Sequence, residues 1–161
     1  MTLLYHYFFK TYLAESFLSS LFICFFISQQ SWEWGKIALL FLGLLLSFFD
    51  LKTQTYPLLI WLIFTGLIAY VHPINSLTLV LVALAVLSYM GWIKIGEGDF
   101  LYLASSSLLL SLNELLWMIQ IASLLGLAYF WISKPPKKTI AFIPFLYLGL
   151  AIVLFIDMIT K

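Results

Sequence analysis

Lys94-Ile95-Gly96-Glu97-Gly98-Asp99-Phe100 lies between two long apolar runs, and two glycines and two carboxylates fall within four of its residues. Charged groups near hydrocarbon are expensive, and they persist mainly where they have a task or a wet cavity. A Gly-x-Gly leaves the backbone free to turn tightly and to be approached closely by another part of the chain. The other carboxylate placed this way is Asp50, which ends a different apolar run after Ser47-Phe48-Phe49. Asp50 and Asp99 are therefore read as a pair that the fold brings together.

The surroundings of that pair set its solvent. Of 161 residues, 64% are hydrophobic and 9% charged, with a mean hydropathy of +1.09. Soluble domains are about half apolar and about a quarter charged. No ordinary globular fold covers that much apolar surface, so a lipid bilayer is the expected partner. A signal peptide explains little, because the apolar runs continue to the last residues. The net charge of +1 carries no basic stripe, which argues against nucleic acid. Cys24 is the single cysteine and lies within an apolar run, so a disulfide within the chain or a cysteine-based zinc site is excluded. A small packing residue in a helix is its simplest role.

A membrane-spanning helix needs about 20 apolar residues, with roughly 17–25 the usual range. Seven stretches qualify: Thr11–Ser28, Trp34–Asp50, Tyr56–Val71, Asn75–Ile93, Asp99–Leu112, Glu114–Ser133 and Thr139–Ile159. Each must be helical, since an open strand in lipid leaves its backbone groups unpaired. The second, third and fifth are short, which suits helices sheltered by their neighbours. The breaks between spans carry their own signals. Gln29-Gln30-Ser31-Trp32-Glu33-Trp34 is a polar turn with tryptophans suited to the interface. Thr55 can cap the third span, with Pro57 in its first turn, and His72-Pro73 ends it. Asn75 or Ser76 can cap the fourth. Ser111-Leu112-Asn113-Glu114 reads as a tight hairpin and Ser133–Lys138 as a rigid basic loop. Ser105-Ser106-Ser107 interrupts the fifth span, where small residues allow close helix packing.

Sorting the lysines by alternate sides places Lys10, Lys52, Lys94, Lys134, Lys137 and Lys138 together, against Lys36 and Lys161. Lysine excess marks the cytoplasmic face. The expected fold is thus all-α: a polytopic membrane helix bundle of about seven transmembrane helices, N-terminus cytoplasmic and C-terminus outside. Residues 1–161 are read as a single membrane-embedded domain in the plasma membrane. The same alternation puts Asp50 and Asp99 both on the cytoplasmic side.

Two carboxyl groups at close range do not both ionise easily and share a proton. One then accepts a proton from water while the other donates to a carbonyl oxygen, which is peptide hydrolysis by general acid–base work. Asp99 begins a helix, where the positive end of the dipole favours its charged form, and Asp50 ends one. On that basis Asp99 is expected to activate the water and Asp50 to hold the proton initially.

With those residues in place, the chain resembles the membrane domain of the type IV prepilin peptidases, leader-cleaving aspartic proteases with a Gly-x-Gly-Asp motif. Asp50-Leu51-Lys52-Thr53-Gln54-Thr55-Tyr56-Pro57 is similar to the family's first-aspartate segment. Ala141-Phe142-Ile143-Pro144-Phe145-Leu146-Tyr147-Leu148-Gly149 resembles its later Pro-Phe-x-Pro-Phe-Leu stretch, and Tyr12-Leu13-Ala14-Glu15 the Tyr-Pro-x-x-Glu that opens its membrane domain. The resemblance implies that Asp50 and Asp99 are the catalytic pair, supported by Gly96 and Gly98. It implies as substrate the basic leader of a pilin-like precursor, cut at the cytoplasmic membrane surface. Glu97, Glu15, Lys52 and Pro144 are candidate substrate-binding residues. The two glutamates are placed to attract a basic leader or, equally, to pair with Lys94 and Lys10. His6 and His72 are assigned no catalytic part.

The chain also departs from the family. Leu101 stands where a lysine usually follows the motif, Leu58 where an asparagine is common after the proline, and Ile143 in place of a glycine. Many bacterial members carry a cytoplasmic insertion with paired Cys-x-x-Cys motifs linked to N-methylation, and this chain has one cysteine. The expectation is a peptidase without the methyltransferase activity, without zinc and without a cofactor. Two alternatives stand beside it: another intramembrane aspartic protease, and a non-enzymatic polytopic membrane subunit.

Overall fold

The computed structural model describes residues 34–53, 56–133 and 141–160. The chain divides into two compact units, Met1–Ile37 and Ala38–Lys161, and the second carries the architecture that follows. The described residues form six helices and no strand: α1 (Trp34–Thr53), α2 (Leu58–Val71), α3 (Ser76–Tyr89), α4 (Glu97–Ser106), α5 (Leu112–Ser133) and α6 (Ile143–Thr160). They correspond in order to the last six of the seven expected spans. The first span, with Tyr12–Glu15, Lys10, His6 and Cys24, lies outside the described residues, as do Thr55 and the basic loop after Ser133.

Three helices, α1, α5 and α6, are long and apolar enough to cross a membrane. α2 and α3 have 14 residues each and α4 has 10. At about 1.5 Å per residue these reach only about 21 Å and 15 Å, against a hydrocarbon core of about 30 Å. Burial resolves the discrepancy for α4. Every residue from Leu101 to Leu108 is buried, so α4 is a central post enclosed by the other helices. It packs against α2, α3 and α6, while α5 and α6 pair along their length. Side chains such as Leu59, Leu67, Tyr70 and Ile132 face outward instead, with Tyr70 92% exposed. An apolar exterior is what a lipid-solvated bundle presents.

The helix ends follow local chemistry. Asn75 Oδ1 accepts from the Thr78 amide at 2.7 Å and caps α3, as its position suggests. α3 stops at Gly91, whose φ of 79° is the left-handed turn that glycine adopts without a steric penalty. The amides of Gly91 and Trp92 then reach back to Ser88 and Leu87, closing the free carbonyls of the last turn. α2 begins at Leu58, with Pro57 just outside it rather than in its first turn. Ser111 and Glu114 form a reciprocal cap on α5: Glu114 Oε2 accepts from the Ser111 amide and hydroxyl, each at 2.7 Å. That pairing underlies the tight connection read from the sequence.

α4 ends at Ser106, short of Leu112, and the serines explain it. Ser105, Ser106 and Ser107 hydroxyls donate to the carbonyls of Leu101, Tyr102 and Ala104 in the preceding turn, a competition that disfavours helix continuation. They also knit the post to its neighbours. Trp61 Nε1 donates to Ser105 Oγ at 2.7 Å and to the Leu101 carbonyl at 2.9 Å. Thr65 meets Ser105 at 2.7 Å, and Thr78 meets Ser107 at 2.8 Å. Asn75 Nδ2 donates to the Ser107 carbonyl at 2.6 Å. The serine run is therefore a hydrogen-bonded seam joining α2, α3 and α4, in addition to being small.

At the α5–α6 crossing a Cβ on Gly149 would lie 2.6 Å from the Met118 carbonyl oxygen, while one on Gly66 of α2 would meet nothing within 4 Å. Gly149→Ala is expected to destabilise the protein by about 1–3 kcal/mol through forced separation of two backbones. Gly66→Ala should be stabilising by about 0.5–1 kcal/mol, because alanine orders a helix better than glycine. Unfolding curves of the two variants in one detergent check both signs.

Candidate functional site

A helix leaves its first amide hydrogens without intrahelical partners. At the start of α6 the Phe145 and Leu146 amides turn back to the Phe142 carbonyl, and Pro144 has no amide to place. The Ile143 amide is left over, and Asp50 takes it: Asp50 Oδ2 accepts from Ile143 N at 3.2 Å, across 93 residues of sequence. The Phe142 amide also hydrogen-bonds to this carboxyl. The last turn of α1 is thereby held to the first turn of α6.

The same end of the bundle carries Gly96–Asp99. Gly96 precedes α4, the Asp99 amide donates to the Gly96 carbonyl at 3.1 Å, and the Asp99 carboxyl folds back toward Gly96. Asp50 and Asp99 are both half-buried, and close enough to interact electrostatically. The structure thus brings both aspartates to one place. It also alters the reasoning about them. The amide-rich N-terminus of α6 faces Asp50 as the N-terminus of α4 faces Asp99, so both carboxyls have a positive helix end beside them. The asymmetry expected from Asp50 closing its own helix is offset by α6, and helix dipoles do not decide which aspartate holds the proton.

Gly98 has a steric reason to be glycine. A Cβ there would overlap the Tyr56 ring, which packs flush against the start of α4. Tyr56 belongs to the connection between α1 and α2, and its hydroxyl is buried without a hydrogen-bond partner among the described residues. Behind it, Tyr102 is fully buried, its hydroxyl also unpartnered, against α1 at Gly43. Tyr147 of α6 lies against the same face of Gly43. Residues absent from the sequence-based site are therefore Tyr56, Tyr102, Gly43 and the Phe142–Ile143 amides. Tyr56 falls inside the quoted Asp50–Pro57 stretch, and Tyr102 sits one turn after Asp99. Neither position marks a hydroxyl as buried, which only packing decides.

The remaining candidates fall further out. Glu97 is exposed and interacts electrostatically with Asp99. Lys52 is exposed, with its ammonium 5.7 Å from the Phe48 ring centroid, a cation–π contact on its own helix. Pro144 is half-buried in the first turn of α6. Glu15 lies outside the described residues. Among the described residues no three His, Cys, Asp or Glu side chains gather as a metal site requires. The chemistry on offer is that of two half-buried carboxyl groups beside helix N-termini.

Compared with protein-family models, curated proteins and solved structures, the chain matches none of them.

Asp50 has a structural duty separable from any reaction. Asp50→Asn keeps an oxygen to receive the Ile143 amide and is expected to unfold close to wild type. Asp50→Leu orphans that amide and should be destabilising by about 1–3 kcal/mol. Parallel thermal melts in detergent measure the difference.

Proposed function

We propose that this chain is a prepilin-peptidase-like aspartic endopeptidase. It removes the basic leader of type IV pilin-like (pseudopilin or competence) precursors, at the cytoplasmic face of the plasma membrane. The observation that carries the reading is the meeting of Asp50 and Asp99, from opposite halves of the chain, at one end of the bundle. Two carboxyl groups so placed supply a general base for water and a general acid for the carbonyl oxygen. Asp50 also docks on Ile143, so two of the stretches resembling the family lie together beside the third, Gly96–Asp99.

The proposed topology has seven spans, with the N-terminus inside and the C-terminus outside. It is supported by exposed Lys52, Lys94 and Glu97 near the aspartate end, and by exposed Tyr89 and Trp92 just before it. Lysines and amphipathic aromatic side chains suit a membrane–water interface. A single-span precursor would present the peptide bond before its hydrophobic segment at that level. Glu97 would attract the leader's basic residues.

A second reading is favoured by one specific contact. Asp50 caps α6, and a non-enzymatic membrane subunit would need nothing more of it. The isosteric variants separate the two. Co-expressed with a pilin-like precursor, the wild type is expected to remove the leader. Asp50→Asn and Asp99→Asn should each lower cleavage by at least about 1,000-fold, as loss of an essential acid or base does, while accumulating normally in the membrane. A structural subunit would tolerate both changes.

A further inference from the structure

We propose that Tyr56 touches the substrate, its phenolic hydroxyl donating a hydrogen bond to the carbonyl oxygen of the bond being hydrolysed. This rests on the peptidase reading above and adds to it a group that the sequence reading left unassigned. Negative charge gathers on that oxygen as water attacks, and a preorganised neutral donor aimed at it is among the larger catalytic contributions available. The carboxyl pair handles protons. An aspartate that has released its proton cannot also donate a hydrogen bond.

The donors around the pair narrow the choice. The Ile143 amide is engaged by Asp50. The Trp61 indole N–H is engaged by the Leu101 carbonyl and Ser105. The Tyr102 hydroxyl is enclosed deeper, against Gly43. The Tyr56 hydroxyl has no partner among the described residues, and its ring is fixed by the flat contact with Gly98, next in sequence to Asp99. Tyr56 and Asp99 also interact electrostatically. A buried donor without an acceptor is unfavourable, and a peptide carbonyl arriving beside Asp99 supplies the missing acceptor. Tyr56 lies on a connection, so reaching it breaks no helical hydrogen bond.

The proton balance leaves Tyr56 unchanged. Water attacks the carbonyl carbon and gives a proton to the ionised aspartate, while the protonated aspartate gives its proton to the carbonyl oxygen. On collapse the carbon–nitrogen bond breaks. The amine nitrogen takes the proton held by the first aspartate, and a hydroxyl proton returns to the second. Tyr56 keeps its own proton and stabilises the oxygen between the two steps.

The test uses the full chain in detergent micelles and a synthetic pilin-like precursor with a basic leader. Tyr56→Phe keeps the ring on Gly98 and removes the hydroxyl alone. Its kcat is expected to fall on the order of 100-fold, with KM changed by less than about threefold. A kcat within about threefold of wild type would overturn the role of Tyr56 and leave the peptidase reading standing. A wild-type chain that leaves the precursor intact would overturn both. A second measurement separates contact from folding. Replacing the scissile carbonyl by a thiocarbonyl, a weaker acceptor, should lower the wild-type rate, and the penalty of Y56F on that substrate should shrink. Penalties that simply multiply would mean the hydroxyl acts elsewhere, against the proposal.

Discussion

The hydrogen bond from the Ile143 amide to Asp50 joins residues 93 positions apart in sequence, and it answers the strictest demand of an apolar solvent. Backbone groups in or near hydrocarbon must be satisfied by the protein itself. The first turn of α6 contains a proline and a leftover amide, and the last turn of α1 carries the carboxylate that takes it. Through that contact the end of α1 meets the start of α6, and Tyr102 and Tyr147 both lie against Gly43 of α1. The position of Asp50 beside α4 depends on the same contact. A site of two carboxyls is in this sense a by-product of capping one helix with the end of another.

α4 is the second constraint. A helix of 10 residues is too short to cross a bilayer by itself, and it is stable because its neighbours surround it. The three serines donate within the turn they end, and Ser105 and Ser107 also bond outward, to Trp61 and Thr65 and to Thr78 respectively. Hydrogen bonds of this kind between membrane helices are individually modest. Their number along one seam fixes the rotation of α4 about its axis, and with it the direction in which Asp99 points.

Much of the architecture was legible in the chain. The composition called for apolar helices of membrane-spanning length, three of which are present among the described residues, and Asn75 and His72-Pro73 marked two of the boundaries. Counting alternate sides put Asp50 and Asp99 on one face without bringing them together, and their proximity is a matter of packing. The early end of α4 was not legible, because serine is compatible with a helix until its hydroxyl finds a carbonyl in the preceding turn. Ser111 and Glu114 carry the Ser-x-x-Glu spacing of a reciprocal cap, a more specific signal than the hairpin expected there. Which aspartate holds the proton was not legible, because the N-terminus of α6, distant in sequence, offsets the dipole of the helix that Asp50 closes.

Composition and spacing by themselves determined that the described residues are helical and apolar on the outside, with two aspartates at helix ends. Those features depend on hydropathy and on periodicity along one segment, which are local properties. Tertiary structure alone decided that α6 caps on Asp50, that Gly98 is a seat for Tyr56, and that two phenol hydroxyls are buried without a hydrogen-bond partner among the described residues. Each of these joins residues far apart in sequence, and what a buried polar atom can do is set by the atoms that surround it in space.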